Sequence, residues 1–162
     1  MKKSQIYGQI FIYILTVLLT SLILIYGYNS VKNFKDRAGQ VSCIKFKNDI
    51  KGAIGNLEGD YGTVKRKDME LCSDYNSICF IDYNIDRNNI PPTDPIIKDS
   101  IISRTGKNVF LIGGSSSREA FEVGKLSVSP PVPQVLCIKS TGGKISLRLE
   151  GKGDYVELSQ WS

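Results

Sequence analysis

The residues able to do chemistry in this chain are four cysteines, a few closely spaced carboxylates and one glycine-serine loop, and there is no histidine at all. Lacking His, the chain is without the commonest general base, the usual zinc ligand and the Ser-His nucleophile arrangement. Asp82 with Asp86, and Glu119 with Glu122, have the short spacing of acid–base pairs, but carboxylates beside turns are ordinarily solvated surface. Gly113-Gly114-Ser115-Ser116-Ser117-Arg118 offers glycines and hydroxyls next to a cation. A phosphate-cradling loop needs wider-spaced glycines and a Lys-Ser/Thr ending, so this stretch reads as a polar turn. Tyr75, Phe80 and Tyr83 could form a stacking face, although strand aromatics usually fill cores or cross-strand pairs. No catalytic constellation is met, and neither enzymatic activity, a cofactor nor a metal is expected.

Cys43, Cys72, Cys79 and Cys137 make an even set, which suits disulfides in an oxidising space. The stretch CSDYNSIC looks like two strand ends around a polar turn and favours pairing Cys72 with Cys79, with a contribution of about 2.5 kcal/mol. Cys43 and Cys137 would then pair by default. The alternative is four reduced thiols buried as small hydrophobes. The wide Cys72–Cys79 spacing is no zinc knuckle.

The elements that position these residues begin with Ser4–Val31, a run without a charged residue. As a helix it would reach roughly 42 Å, and a bilayer's hydrocarbon needs only about 20 residues. Lys2 and Lys3 precede it and account for two of the 21 basic residues, leaving 19 against 16 acidic ones in the remainder. The exposed part is therefore close to balanced. Its only basic run, Lys65-Arg66-Lys67, is followed at once by Asp68 and Glu70, which argues against a nucleic-acid partner. The apolar run is too long for a cleaved secretory signal and ends without a small-x-small site. Tyr7, Phe11 and Tyr13 near one end and Tyr26 and Tyr28 near the other match interfacial aromatic belts.

Lys2-Lys3, then Gly8-Gln9, then an uninterrupted apolar helix resembles the class III signal of archaeal type IV pilin-like proteins. The resemblance implies cleavage by a prepilin peptidase between Gly8 and Gln9, after which the apolar segment serves as the filament-core helix. Tyr7 stands where that family often carries Lys or Arg, and no Glu follows in the first turns after Gln9. The similarity is confined to the amino-terminal segment.

Beyond the apolar run, Val31, Phe34, Ala38 and Val41 recur at helical spacing, and Phe46, Ile50, Ile54 and Leu57 continue after a shift of phase. An amphipathic helical stem is expected, with a break or curvature at one of Gly39, Gly52 or Gly55. From Gly62 the period becomes two. Strands are expected at Thr63–Cys72, Ser77–Tyr83, Asn108–Gly113, Ala120–Val128, Gln134–Ser140, Lys144–Glu150 and Asp154–Ser159. Asn88–Pro95 is a stiff loop, and Thr141-Gly142-Gly143 and Gly151-Lys152-Gly153 mark tight hairpins. Ile96–Ile102 suits either a strand or a short helix capped by Asp94 with Pro95 at its first position.

The expected class is α+β: a transmembrane helix extended by an amphipathic stem, then an antiparallel β-rich domain, pilin-like or a small sandwich. The segments are a short cationic leader (1–8), the transmembrane helix (9–30), the stem (31–58) and the soluble domain (59–162). The expected protein is a single-pass membrane-anchored surface protein, partnered by the lipid bilayer and, if pilin-like, by copies of itself or similar subunits through the amino-terminal helix. The alternative is a monomeric anchored envelope protein whose β domain binds a ligand or protein. Positive charges are nearly balanced across the span, so the expected cytoplasmic amino terminus and extracellular domain rest on the cysteines and the β-rich composition.

Overall fold

A computed structural model describes residues 4–72, 74–88, 90–114, 118–130 and 134–161. Met1-Lys2-Lys3, the cationic part of the expected leader, and Ser115-Ser116-Ser117 of the polar loop lie outside the described residues. The elements are helix α1 (Ser4–Gly55), strands β1 (Tyr61–Glu70) and β2 (Tyr75–Ile81), helix α2 (Pro95–Ile102), and strands β3 (Val109–Gly113), β4 (Arg118–Phe121), β5 (Leu126–Val128), β6 (Val135–Lys139), β7 (Lys144–Lys152) and β8 (Val156–Gln160). The chain divides into two compact units, Met1–Ala38 and Gly39–Ser162, the second of which is the head.

The first unit is the amino-terminal part of α1. Its long run of Ile, Leu and Val is helical with no tertiary partner, and these side chains are exposed from Ile10 to Val31. The hydroxyls in the run turn back onto the helix. Thr16 Oγ1 donates to the Tyr13 carbonyl at 2.8 Å, Thr20 Oγ1 to Thr16 at 2.7 Å and Ser21 Oγ to Val17 at 2.8 Å. Such back-bonding satisfies polar groups that lipid cannot.

In the head, α1 runs on through Gly52 to its end at Gly55, so of the three glycines expected to disturb it only the last coincides with a terminus. The phase shift in apolar spacing is where the helix acquires a core. Val41 and Ile44 are exposed, whereas Phe46, Ile50, Ile54 and Leu57 are buried. These four join one cluster with the inner faces of two sheets, including Leu147, Leu149 and Leu158 from one and Ile78, Phe80 and Leu111 from the other.

The sheets have the orders β1-β7-β8-β5 and β4-β3-β2-β6. Strand β7 shows the period-two logic most cleanly, with Ile145, Leu147 and Leu149 buried and the intervening residues half-buried. All pairings are antiparallel except β5 with β8, which is parallel. The outer face of the second sheet is covered too. Ile97 and Ile101 of α2 pack with Cys79, Ile81, Phe110 and Val135 in a second cluster.

Helix α2 resolves the ambiguity over Ile96–Ile102. Asp94 Oδ1 accepts from the Ile96 backbone N–H at 3.1 Å, and Pro95 occupies the first turn. At the other end, the N–H of Thr105 donates to Ser100 at 3.3 Å and that of Arg104 to Ile101 at 3.4 Å, a Schellman arrangement. Arg104 takes the position that normally belongs to glycine, with φ 53°. A side chain in that left-handed conformation costs about 1 kcal/mol.

Three expectations about the head need correction. The disulfides join Cys43 to Cys72 and Cys79 to Cys137, not Cys72 to Cys79 and Cys43 to Cys137. Strand alternation explains the difference. Ile78 and Phe80 of β2 face the central cluster, so Cys79 between them faces the second cluster, while Cys72 belongs to the first beside the helix. Cys137 lies directly opposite Cys79 on the neighbouring strand. Next, Ala120–Val128 is not one strand but two, β4 and β5, in different sheets. The chain changes sheets at Val123-Gly124, pinned by Asn108, whose Oδ1 accepts from Val123 N at 3.1 Å and whose Nδ2 donates to the Gly124 carbonyl at 2.6 Å. Last, Thr141-Gly142-Gly143 does form a two-residue turn, with φ 60° and 76° at the glycines. Its pairing stops at the Thr141–Lys144 bridge, because β6 and β7 then diverge into separate sheets.

The turn after α1 is held against the β7–β8 end by backbone bonds, Gly59 N to the Gly153 carbonyl at 2.8 Å and Gly153 N to that of Asp60 at 3.0 Å. That approach requires Gly151: a Cβ there would lie 2.4 Å from the Asp60 carbonyl oxygen and 2.9 Å from that of Leu57.

Candidate functional site

Two features stand out as sites: the apolar part of α1 and a cleft on the head. Among the described residues α1 is the one helix long and apolar enough to cross a membrane, and none of its most apolar window is buried within the chain. Gly8 and Gln9, the pair at which the pilin-like resemblance places cleavage, lie in the opening turns of α1.

The carboxylate pairs do not act together. Asp82 is buried and fully engaged: its Oδ1 accepts from Asn84 N at 2.8 Å, and its Oδ2 from Ser127 Oγ at 2.6 Å and Val128 N at 3.1 Å. It ties β2 to β5, across the two sheets. Asp86 is exposed and caps its own turn by accepting from Asn88 N at 2.9 Å. Glu119 pairs with Lys47 of α1, while Glu122 is exposed at the rim of the cleft. No three His, Cys, Asp or Glu side chains converge among the described residues.

The aromatic trio is dispersed. Phe80 is core, Tyr75 is packed at the edge of the central cluster, and Tyr83 is half-exposed with its ring 5.5 Å from that of Tyr155. Burial, with the Glu119 carboxylate nearby, pushes the Tyr75 hydroxyl above its ordinary value. In the polar loop, Arg118 forms an ion pair with Asp94 at 3.2 Å. In the basic run the middle residue is equally occupied: Arg66 lies 3.0 Å from Asp68 and 5.4 Å from the Trp161 ring centre. The outer face of the first sheet is a lattice of such pairs, with Glu150 receiving Lys152 at 2.5 Å and Arg148 at 2.8 Å. Bonds from Lys152 and then Arg148 hold the Glu150 carboxyl below the usual carboxylate range, and Glu150 and Glu157 raise the Lys152 ammonium. Ser146 and Arg66 lower Asp68 in the same way.

The cleft has a volume of about 420 Å³ and is lined by residues of the β2–α2 loop, the end of α2, the loop after it and the β4–β5 crossing. A second hollow of about 530 Å³ shares Tyr83, Ile85, Arg87 and Arg104 with it. Asp82 and Asn108, both buried and hydrogen-bonded, sit in the lining of the first cleft and stiffen its floor. Arg87, Arg104, Lys107 and Lys125 line its walls, with Glu58 and Glu122. Sequence reasoning passed over these cations because they are isolated charges on separate loops, forming no run. The one local signal was Arg104, standing just past a helix end where glycine is usual. No family model, no curated protein and no solved structure matches the chain.

Proposed function

We propose that the protein is a single-pass membrane subunit whose apolar helix packs against copies of itself or similar subunits, in the manner of a pilin, and displays the disulfide-bonded head outside the cytoplasm. The observation that carries this is the uncharged run of α1, which finds no partner within its own chain. Thr16, Thr20 and Gly27 fall within about 40° of one another around the helix, giving a narrow side of small residues along which a second helix can approach closely. Both disulfides support a head that lives in an oxidising compartment. The function is structural and binding rather than catalytic, and its partners are the bilayer and other subunits rather than nucleic acid.

The test is the mass of the mature chain made alongside an active prepilin peptidase. We expect loss of Met1 through Gly8, and no loss in a Gly8→Leu variant. An intact amino terminus beside a control pilin that is cut would leave an anchored, unprocessed protein. That second reading, a monomer whose head binds a ligand, is favoured by the charged cleft and needs no assembly.

A further inference from the structure

The cleft carries the most specific chemistry on the head. Elsewhere on the head some cations meet carboxylates, as Lys47 meets Glu119, Arg118 meets Asp94, and Arg148 and Lys152 meet Glu150. Others, such as Lys65, Lys67, Lys98 and Lys139, form no ion pair among the described residues but do not line this concavity. Within the cleft Arg87, Arg104, Lys107 and Lys125 form no ion pair among the described residues. Set against the carboxylates of Asp82, Glu58 and Glu122 in the same lining, these four cations leave a small positive excess around one concavity, which favours an anion. Arg104 is brought there by a backbone conformation that glycine would adopt without strain, so its side chain is retained against local preference. Beside them Tyr83, half-exposed and in a tilted pair with Tyr155, offers an apolar ring face with a polar tip.

The rim is not uniformly cationic, and this narrows the ligand. Glu58 and Glu122 line the same cleft, supplying acceptors beside the donors. A polyphosphate, charged along its whole length and without hydroxyl donors, has nothing to offer these carboxylates, whereas a molecule that alternates carboxylates with hydroxyls can use both kinds of group. We propose that this cleft binds the carboxylated sugars of an acidic polysaccharide, with the cations taking the carboxylates, Glu58 and Glu122 accepting from hydroxyls, and a sugar ring lying against Tyr83. In the cell, binding at a surface rests on the outward-facing head proposed above, but it does not rest on assembly of the helix.

The experiment is calorimetric titration of the full chain in detergent with oligomers of galacturonate and of glucuronate, beside a neutral galactose oligomer and inorganic polyphosphate. At least one uronate oligomer is expected to bind, with the neutral sugar and the polyphosphate at least about tenfold weaker. Arg104→Gly should weaken uronate binding at least about tenfold while raising the melting temperature, because glycine relieves the backbone that arginine strains. Arg87→Ala and Tyr83→Ala should each weaken it too, and Arg66→Ala, on the other sheet's outer face, should not. No uronate binding, equal binding of polyphosphate, or an affinity unchanged in both Arg104→Gly and Arg87→Ala would overturn the assignment. Because binding is read on purified protein, a wrong orientation leaves it standing, and protease added outside intact cells reports orientation separately.

Discussion

At the scale of single residues, the head is governed by paired charges outside and by a few obligatory backbone approaches inside. Glu150 shows the first. Its carboxyl lies below the ordinary range because Lys152 and Arg148 bond the ionised form, so the folded state releases its proton more readily than the unfolded chain. The stability it contributes is present above the unfolded carboxylate pKa and is lost as pH falls through the lower folded value. Lys152 shifts the other way, so its share is present below the unfolded lysine value and is lost as pH rises through the raised one. Melting curves at low salt should therefore show a plateau with a fall on each side, the acid fall starting at about pH 5. Glu150→Gln should soften both falls and 1 M salt should shrink them, since these groups are exposed. An unchanged pH profile in that variant would locate the dependence elsewhere, with Asp68 the next carboxylate to test. Neither partner of Glu150 is distant in sequence, yet only the pleat of β7 and β8 shows that Arg148, Glu150, Lys152 and Glu157 share one face.

At the scale of elements, local patterning was a good guide to what each segment is and a poor one to what it pairs with. Period-two runs located β7 and β8, the helical spacing of Phe46, Ile50 and Ile54 located the buried side of α1, and Asp94-Pro95 marked the start of α2. Pairing depends on long-range register, which no short window contains. The apparent single strand Ala120–Val128 broke because Asn108, far behind it in sequence, bonds the chain where it crosses between sheets. The cysteines misled for the same reason: CSDYNSIC is close in sequence, but its two thiols end on opposite sides of a sheet. The observed pairing has a direct test. In a Cys43→Ser chain, denatured without reduction, an alkylating probe should label Cys72 and leave Cys79 and Cys137 bonded. Labelling of Cys137 would restore the other connectivity. The variant should also lose about 3.5 kcal/mol of stability, given the 29-residue separation that the Cys43–Cys72 bond spans.

At the scale of the whole molecule, the two units differ in what covers their apolar side chains: those of the first lie exposed, while the second buries two clusters. The amino-terminal run was legible at once because lipid asks only for length and the absence of charge. The cleft was not, since it gathers side chains from several loops that only the folded head brings together. What makes the head a unit is that burial starts late: the first buried side chain among the described residues is Phe46, and the first half-buried disulfide residue is Cys43. Cutting the chain between Ala38 and Gly39 thus removes none of the side chains that are buried among the described residues and breaks neither disulfide. The remaining Gly39–Ser162 has the length of an ordinary domain and keeps both apolar clusters. Exported to an oxidising compartment, this fragment should be soluble without detergent and monomeric on gel filtration. It should melt in one transition within about 3 °C of the head in the full chain. The full chain should partition with membranes and resist extraction by alkaline carbonate. A fragment that aggregates or melts broadly would mean that residues before Gly39 complete the head's core. In that case the apolar helix would be part of the fold rather than its anchor.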